Sequence, residues 1–203
     1  MSVNALASDS GLLPGFADPV GDAQKTFRAV LEAMARPGTI VVPPVVAAAP
    51  SPLAPVTAAV LLTLADHETP VWLDAAAAQP AVREYLRFHC GAPLVERPDH
   101  AVFAVIADPA AMPPLSVFHP GSDDYPDRSA TLILQVSELD GGDGWCLRGP
   151  GIRDRARLRA GLLPAAFRAW VRDNHALFPR GVDLLFAAPA HLAGLPRSTL
   201  LED

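Results

Sequence analysis

The sequence predicts a three-layer α/β domain: one mixed β-sheet with helices on its faces. Three observations carry that prediction. Short apolar runs rich in strand formers alternate with stretches of helical period, the pattern of strands joined by covering helices. Residues 130–136, Ala-Thr-Leu-Ile-Leu-Gln-Val, are apolar almost without a break, which suits an interior strand covered on both faces. The glycine–aspartate cluster at 140–144 and the short run 145–148 then read as a turn and an antiparallel return, which makes the sheet mixed.

The chain of 203 residues is long enough for one sizeable core, and 50% apolar against 19% charged residues excludes wholesale disorder. A net charge of −6 argues against nucleic acid as a partner. Two cysteines, Cys90 and Cys146, give no disulfide framework and match a reducing compartment. The opening residues lack the basic region and apolar core of a signal peptide, and the most apolar helical stretch, 53–65, falls short of the roughly 20 residues that span a bilayer. The expectation is a soluble cytoplasmic protein with no membrane partner.

Taken in order, residues 1–14 read as a flexible tail and 15–203 as the single domain. Asp18-Pro19 starts a helix, with an acid at the N-cap and proline at the first helical position. Phe27, Val30, Leu31 and Met34 follow helical spacing and are expected inward; Pro37-Gly38 ends the helix. Residues 39–42 are a short strand candidate, and the proline-rich 43–55 is a surface connection. Residues 56–65 are apolar on every side, so that helix is buried centrally or at a subunit contact. Residues 70–73 form a second short strand. In 81–90 the helical spacing puts Val82, Tyr85, Leu86 and His89 on one face, closed by Gly91. Residues 101–107 are another strand, and 108–128 a long loop rich in Pro, Gly and Asp. Beyond the hairpin, Gly149-Pro150-Gly151 makes a corner where another group can approach closely. Residues 165–174 form an amphipathic helix with Phe167, Trp170 and Val171 inward, and 182–187 a last strand.

Candidate chemistry is sparse. His89 and Cys90 are adjacent and point about 100° apart on a helix, with no further ligand at zinc spacing. His119 with Asp123, Asp124 and Asp127 lacks calcium-loop spacing and reads as a solvated acidic loop. Asp183 lies inside an apolar strand, so it requires an arginine or backbone partner if it faces inward. Arg153, Arg155, Arg157 and Arg159 alternate after the corner; they suit phosphate or an acidic partner surface, or form a solvated face. No Walker loop, dinucleotide fingerprint, nucleophile elbow or zinc-protease motif occurs. Lys25 is the only lysine and sits on a polar helix side, so the Schiff base that holds pyridoxal phosphate has no suitable residue.

Several stretches together resemble the PhnH family, a subunit of the bacterial carbon–phosphorus lyase system. They are Phe16-Ala17-Asp18-Pro19-Val20 with Phe27-Arg28, Ala33-Met34 and Pro37-Gly38; Leu61-Leu62-Thr63-Leu64-Ala65-Asp66 with Thr69-Pro70-Val71-Trp72-Leu73; and Leu86-Arg87-Phe88-His89 with Ala92-Pro93-Leu94-Val95. Residues 130–136, Gly149-Pro150-Gly151-Ile152, Phe178-Pro179, Gly181-Val182-Asp183-Leu184-Leu185 and Leu195-Pro196-Arg197 complete the set.

The resemblance implies a role in organophosphonate catabolism. Such subunits act with PhnG, PhnI and PhnL to form a ribose 1-phosphonate 5-triphosphate from a nucleoside triphosphate and a phosphonate, before the radical enzyme PhnJ cleaves the carbon–phosphorus bond. It also implies a homodimer, and a fold like that of pyridoxal-phosphate transferases without the cofactor. No catalytic residue is carried over. Arg87, His89, Gly149, Gly151 and Arg197 come from the matching stretches and are the groups best suited to anionic oxygens, so they are expected to line one concave surface. The alternative reading is a self-sufficient enzyme binding a phosphorylated sugar or nucleotide at the Gly149-Pro150-Gly151 corner.

Overall fold

The computed structural model describes residues 12–202. Most of the tail expected at 1–14 lies outside them. Within the described part, the carbonyls of Leu13 and Pro14 are already held, by His89 Nε2 at 2.9 Å and by the Tyr85 hydroxyl at 3.3 Å.

A central six-stranded sheet organises the molecule. Its strands in spatial order are β2 (Leu94–Val95), β1 (Val71–Leu73), β3 (Phe103–Ile106), β4 (Thr131–Gln135), β7 (Asp183–Ala187) and β8 (Leu192–Leu195). All neighbours pair in parallel except β8, which returns antiparallel to β7. The sheet is therefore mixed, as expected, and β4 is an interior strand. Leu132, Ile133 and Leu134 are fully buried, and alternate between the two cores.

Helices α1 (Pro19–Ala35), α2 (Pro55–Leu64) and α3 (Pro80–His89) cover one face, where Val56, Val60, Leu61, Val82 and Leu86 pack on Val71, Val105, Ile133 and Leu185. The other face is covered by α4 (Phe167–Ala176) and a small sheet of β6 (Ala156–Ala160), β5 (Leu139–Arg148) and β9 (Leu200–Glu202), in that order. Leu147, Leu158, Phe167 and Leu201 fill that second core against Leu132, Leu134 and Phe186.

The hairpin expected between 130–136 and 145–148 does not form. β4 has parallel neighbours on both sides, and the chain crosses from it into the other sheet at β5. The glycine–aspartate cluster is used as an irregularity inside β5: its register against β6 shifts between Asp140 and Trp145. Glycines that favour a turn serve equally to accommodate a bulge.

Helix α1 starts as expected, with Asp18 Oδ1 accepting the Gly21 N–H at 3.0 Å. Its buried line is Thr26, Val30 and Ala33, however; Phe27 and Leu31 are 46% and 52% exposed. Spacing fixed an amphipathic helix but set the inward face slightly off, because small residues let α1 approach β8 while the larger ones turn outward. The strand expected at 39–42 is reduced to one bridge, Val41 with Leu192. Helix α2 is buried within the chain from Val56 to Leu61. It lacks a side-chain cap of its own sequence, and Gln135 at the end of β4 accepts the Ala54 N–H while donating to the Pro52 carbonyl at 2.9 Å. No helix among the described residues is long and apolar enough to cross a membrane.

Candidate functional site

In open α/β sheets, ligands bind beyond the carboxyl ends of the strands, where the strand order reverses direction. Here the chain runs from β1 outward to β2 and then back past β1 to β3, so that point lies between β1 and β3. The two loops beside it are tied together by the protein's own groups. Asp74, directly after β1 and 8% exposed, accepts the N–H of Ala77 at 2.7 Å and the N–H of Asp108, just beyond β3, at 2.9 Å. This carboxylate staples the two loops together. Sequence reading passed over Asp74, a lone acid after a short strand.

The five residues expected on one surface fall into two groups. Arg87 borders an open hollow of about 620 Å³ beside α3, together with Arg83, Glu84 and the backbone from Gly91 to Leu94. Its guanidinium has no hydrogen bond or ion pair among the described residues. His89 turns to the other side, where its ring packs on Tyr85 with centroids 4.4 Å apart. A Cβ on Gly15, just before α1, would come within 3.3 Å of that ring.

Gly149, Gly151 and Arg197 belong to the far end of α1. Gly149 abuts the Ser198 carbonyl, where a Cβ would come within 2.8 Å. Gly151 has φ +80, and a Cβ there would overlap the Ala35 main-chain oxygen. The 17 residues of α1 lie between the two groups, about 25 Å at 1.5 Å per residue. The five residues thus do not line one concavity: Arg87 and His89 face different sides of α3, and the other three lie toward the far end of α1. The close approach foreseen at the glycine corner is made by the protein's own helix end.

Arg197 is committed to the fold. Its guanidinium grips Asp183 at the start of β7 and reaches the Pro126 carbonyl, while its main-chain N–H donates to Asp183 Oδ1 at 2.8 Å. Asp183 thereby has the arginine partner that its place in an apolar strand required.

Other reactive groups are also occupied. Burial pushes the Cys90 thiol up to about 11, so at neutral pH it is neither a nucleophile nor a ready metal ligand. Burial first, with a contribution from Cys90, raises the Tyr85 hydroxyl to about 12. His119 Nδ1 accepts the Gly121 N–H at 3.1 Å, and Asp123 pairs with Arg180 at 3.1 Å, which ties the acidic loop to the turn after α4. Among the described residues no three His, Cys, Asp or Glu side chains gather at metal-ligating distance. A second cavity, of about 270 Å³, lies between residues 115–120 and α4. Leu115, Phe118, Trp170 and Leu177 make it apolar, with Ser116 and Asp173 as polar groups. It suits an apolar group.

A family model and one curated relative match nearly the whole chain, and a second relative matches part of it. A family model described as "Bacterial phosphonate metabolism protein (PhnH)" matches residues 14–202. The chain is 42% identical over 187 residues to the alpha-D-ribose 1-methylphosphonate 5-triphosphate synthase subunit PhnH of Rhizobium meliloti (strain 1021), covering 92% of this chain and 94% of that protein. It is 33% identical over 79 residues to the putative C-P lyase subunit protein HtxG of Stutzerimonas stutzeri, covering 39% of this chain and 40% of that one. The chain therefore belongs to the PhnH family of bacterial phosphonate metabolism proteins.

Proposed function

We propose that this chain is a supporting subunit of a cytoplasmic synthase that joins a phosphonate to the ribose of a nucleoside triphosphate, working with PhnG, PhnI and PhnL and upstream of PhnJ. The observation that carries the reading is the 42% identity spread over 94% of a synthase subunit. The engagement of Asp74 by two loop N–H groups and the commitment of Arg197 to Asp183 support a supporting role over a self-sufficient one. The exposed apolar residues Val20, Phe27 and Leu31 recur at helical spacing along one side of α1, and we assign them to contact with a second copy of the chain.

Reconstitution tests this reading. Supplied with ATP and methylphosphonate, the partner subunits are expected to form the ribose methylphosphonate triphosphate only when this chain is added. The chain alone is expected to sediment as a dimer and turn over neither substrate. A monomer that consumes a nucleoside triphosphate unaided would replace the subunit reading with the self-sufficient enzyme.

We further propose that the likeness to pyridoxal-phosphate transferases is one of fold, without the cofactor. The Lys25 side chain is 64% exposed and lies 3.3 Å from Asp22, unlike the desolvated amine a Schiff base needs. Incubation with pyridoxal phosphate is expected to give no saturable aldimine absorbance. A stoichiometric band abolished by Lys25→Ala would overturn this.

A further inference from the structure

The outer face of the small sheet carries a charge pattern that packing does not use. Residues alternate faces along a strand. Leu147, Ala156, Leu158 and Leu201 face the second core, so Cys146, Arg148, Arg157 and Glu202 face out. Arg157, Cys146 and Glu202 stand in one cross-strand row. In the next row, continuing the Leu147–Ala156 pairing places Arg155 beside Arg148.

One carboxylate serves this group. Glu202 accepts from Arg148 Nη1 at 3.2 Å and Arg155 Nε at 3.2 Å, and Arg168 Nη2 donates to its main-chain oxygen at 3.0 Å. Arg157 has no ion pair with a described residue. Like charges placed side by side across strands weaken a sheet, so the arrangement does not serve the fold. Arg148 and Arg155 are 60% and 68% exposed, and their positive charge reverses the sign of a chain whose net charge is −6.

The geometry also sets the size of what binds. Neighbouring strands are about 4.8 Å apart and same-face residues about 7 Å apart, so the guanidiniums spread over more than one phosphate could span. The face is a sheet surface and not a concavity. Guanidinium pairs with carboxylate through two parallel hydrogen bonds, and Glu202 shows these arginines holding one. We propose that Arg148, Arg155 and Arg157 form a docking surface for an Asp/Glu-rich patch on a partner subunit. The proposal rests on the subunit reading above.

The test is assembly of the chain with its partner subunits, followed by biolayer interferometry at about 50 and about 300 mM salt. Wild-type affinity is expected to fall at least about tenfold between those salts, because charge-steered association is screened. Arg155→Glu/Arg157→Glu is expected to lose at least about tenfold at the lower salt and to flatten the salt response. Arg157→Gln alone, which breaks no ion pair of the fold, is expected to weaken binding severalfold. Lys25→Glu/Arg97→Glu makes the same change in net charge elsewhere and should bind as the wild type does. If the wild-type chain assembles but the arginine variants assemble equally well with unchanged salt response, the docking surface is wrong and the subunit reading stands. A wild-type chain that joins no complex overturns both. Tight binding of inorganic tripolyphosphate, lost in the double variant while assembly is unchanged, makes this a phosphate site and also overturns the proposal.

Discussion

Gly151→Ala is expected to lower stability by about 3 kcal/mol or more, from one added methyl group. Two costs combine. Gly151 has φ +80, a conformation that costs an L-residue about 1–2 kcal/mol. The new Cβ would also overlap the Ala35 oxygen at the last residue of α1, with Pro37 Cδ 3.2 Å away. Neither neighbour is the free end of a flexible side chain, so the corner must shift against a helix. Gly91→Ala separates the two costs. Its φ is +66, but the nearest atom to a Cβ there is His67 Cβ at 3.8 Å, so only the backbone term of about 1–2 kcal/mol is expected. Urea unfolding of both variants checks this through their midpoints. Equal losses would mean that the corner and the end of α1 are not in contact.

That corner shows how far the sequence was legible. Gly149-Pro150-Gly151 announced a tight bend with something close against it, and both features are present. What the motif does not encode is the identity of the approaching group, and here it is the chain's own helix end. Strand β4 was legible because burial on both faces leaves an almost unbroken apolar run. Its partner was not. The same glycine–aspartate cluster that closes a hairpin also accommodates a bulge, and only the distant pairing of β5 with β6 and β9 decides between them. In α1 the period was right and the face half right: Val30 and Met34 pack on the core as expected, but Phe27 and Leu31 turn outward while Thr26 and Ala33 are buried. Hydrophobicity identifies the stripe on a helix, whereas close approach to a neighbouring strand selects for small side chains.

Site residues were legible as chemistry but not as geometry. Asp183 needed a cation, which the fold supplies from Arg197, 14 residues further on. Arg87 and His89 lie at the end of α3, whereas Gly149 and Gly151 lie at the far end of α1, a separation of about 25 Å that sequence spacing does not encode. Asp74 escaped notice for a related reason. A lone acid after a three-residue strand gains meaning only when the chain's return places Asp108 beside it.

Arg197→Ala is expected to destabilise the protein by about 3 kcal/mol, the lower end of the range for removing one partner of a buried pair. Both side chains are 15% exposed, so residual water softens the penalty without abolishing it. The loss has three parts. Asp183 would keep the main-chain N–H of residue 197 but lose its guanidinium partner. The Pro126 carbonyl would lose its donor. The 108–128 loop would lose one of its ties to the start of β7, so cleavage by a protease near Pro126 is expected to quicken. Replacing both partners with apolar residues, Arg197→Met with Asp183→Leu, leaves no buried carboxylate and should recover at least half of the stability lost in Arg197→Ala. The proteolytic sensitivity should persist in full, because methionine offers Pro126 no hydrogen bond. Denaturant midpoints across the single and double variants measure the coupling. If Arg197→Ala costs under about 1 kcal/mol, the value typical of an exposed pair, then Arg197 is not the clamp between β7 and the loop and is free to contact a ligand.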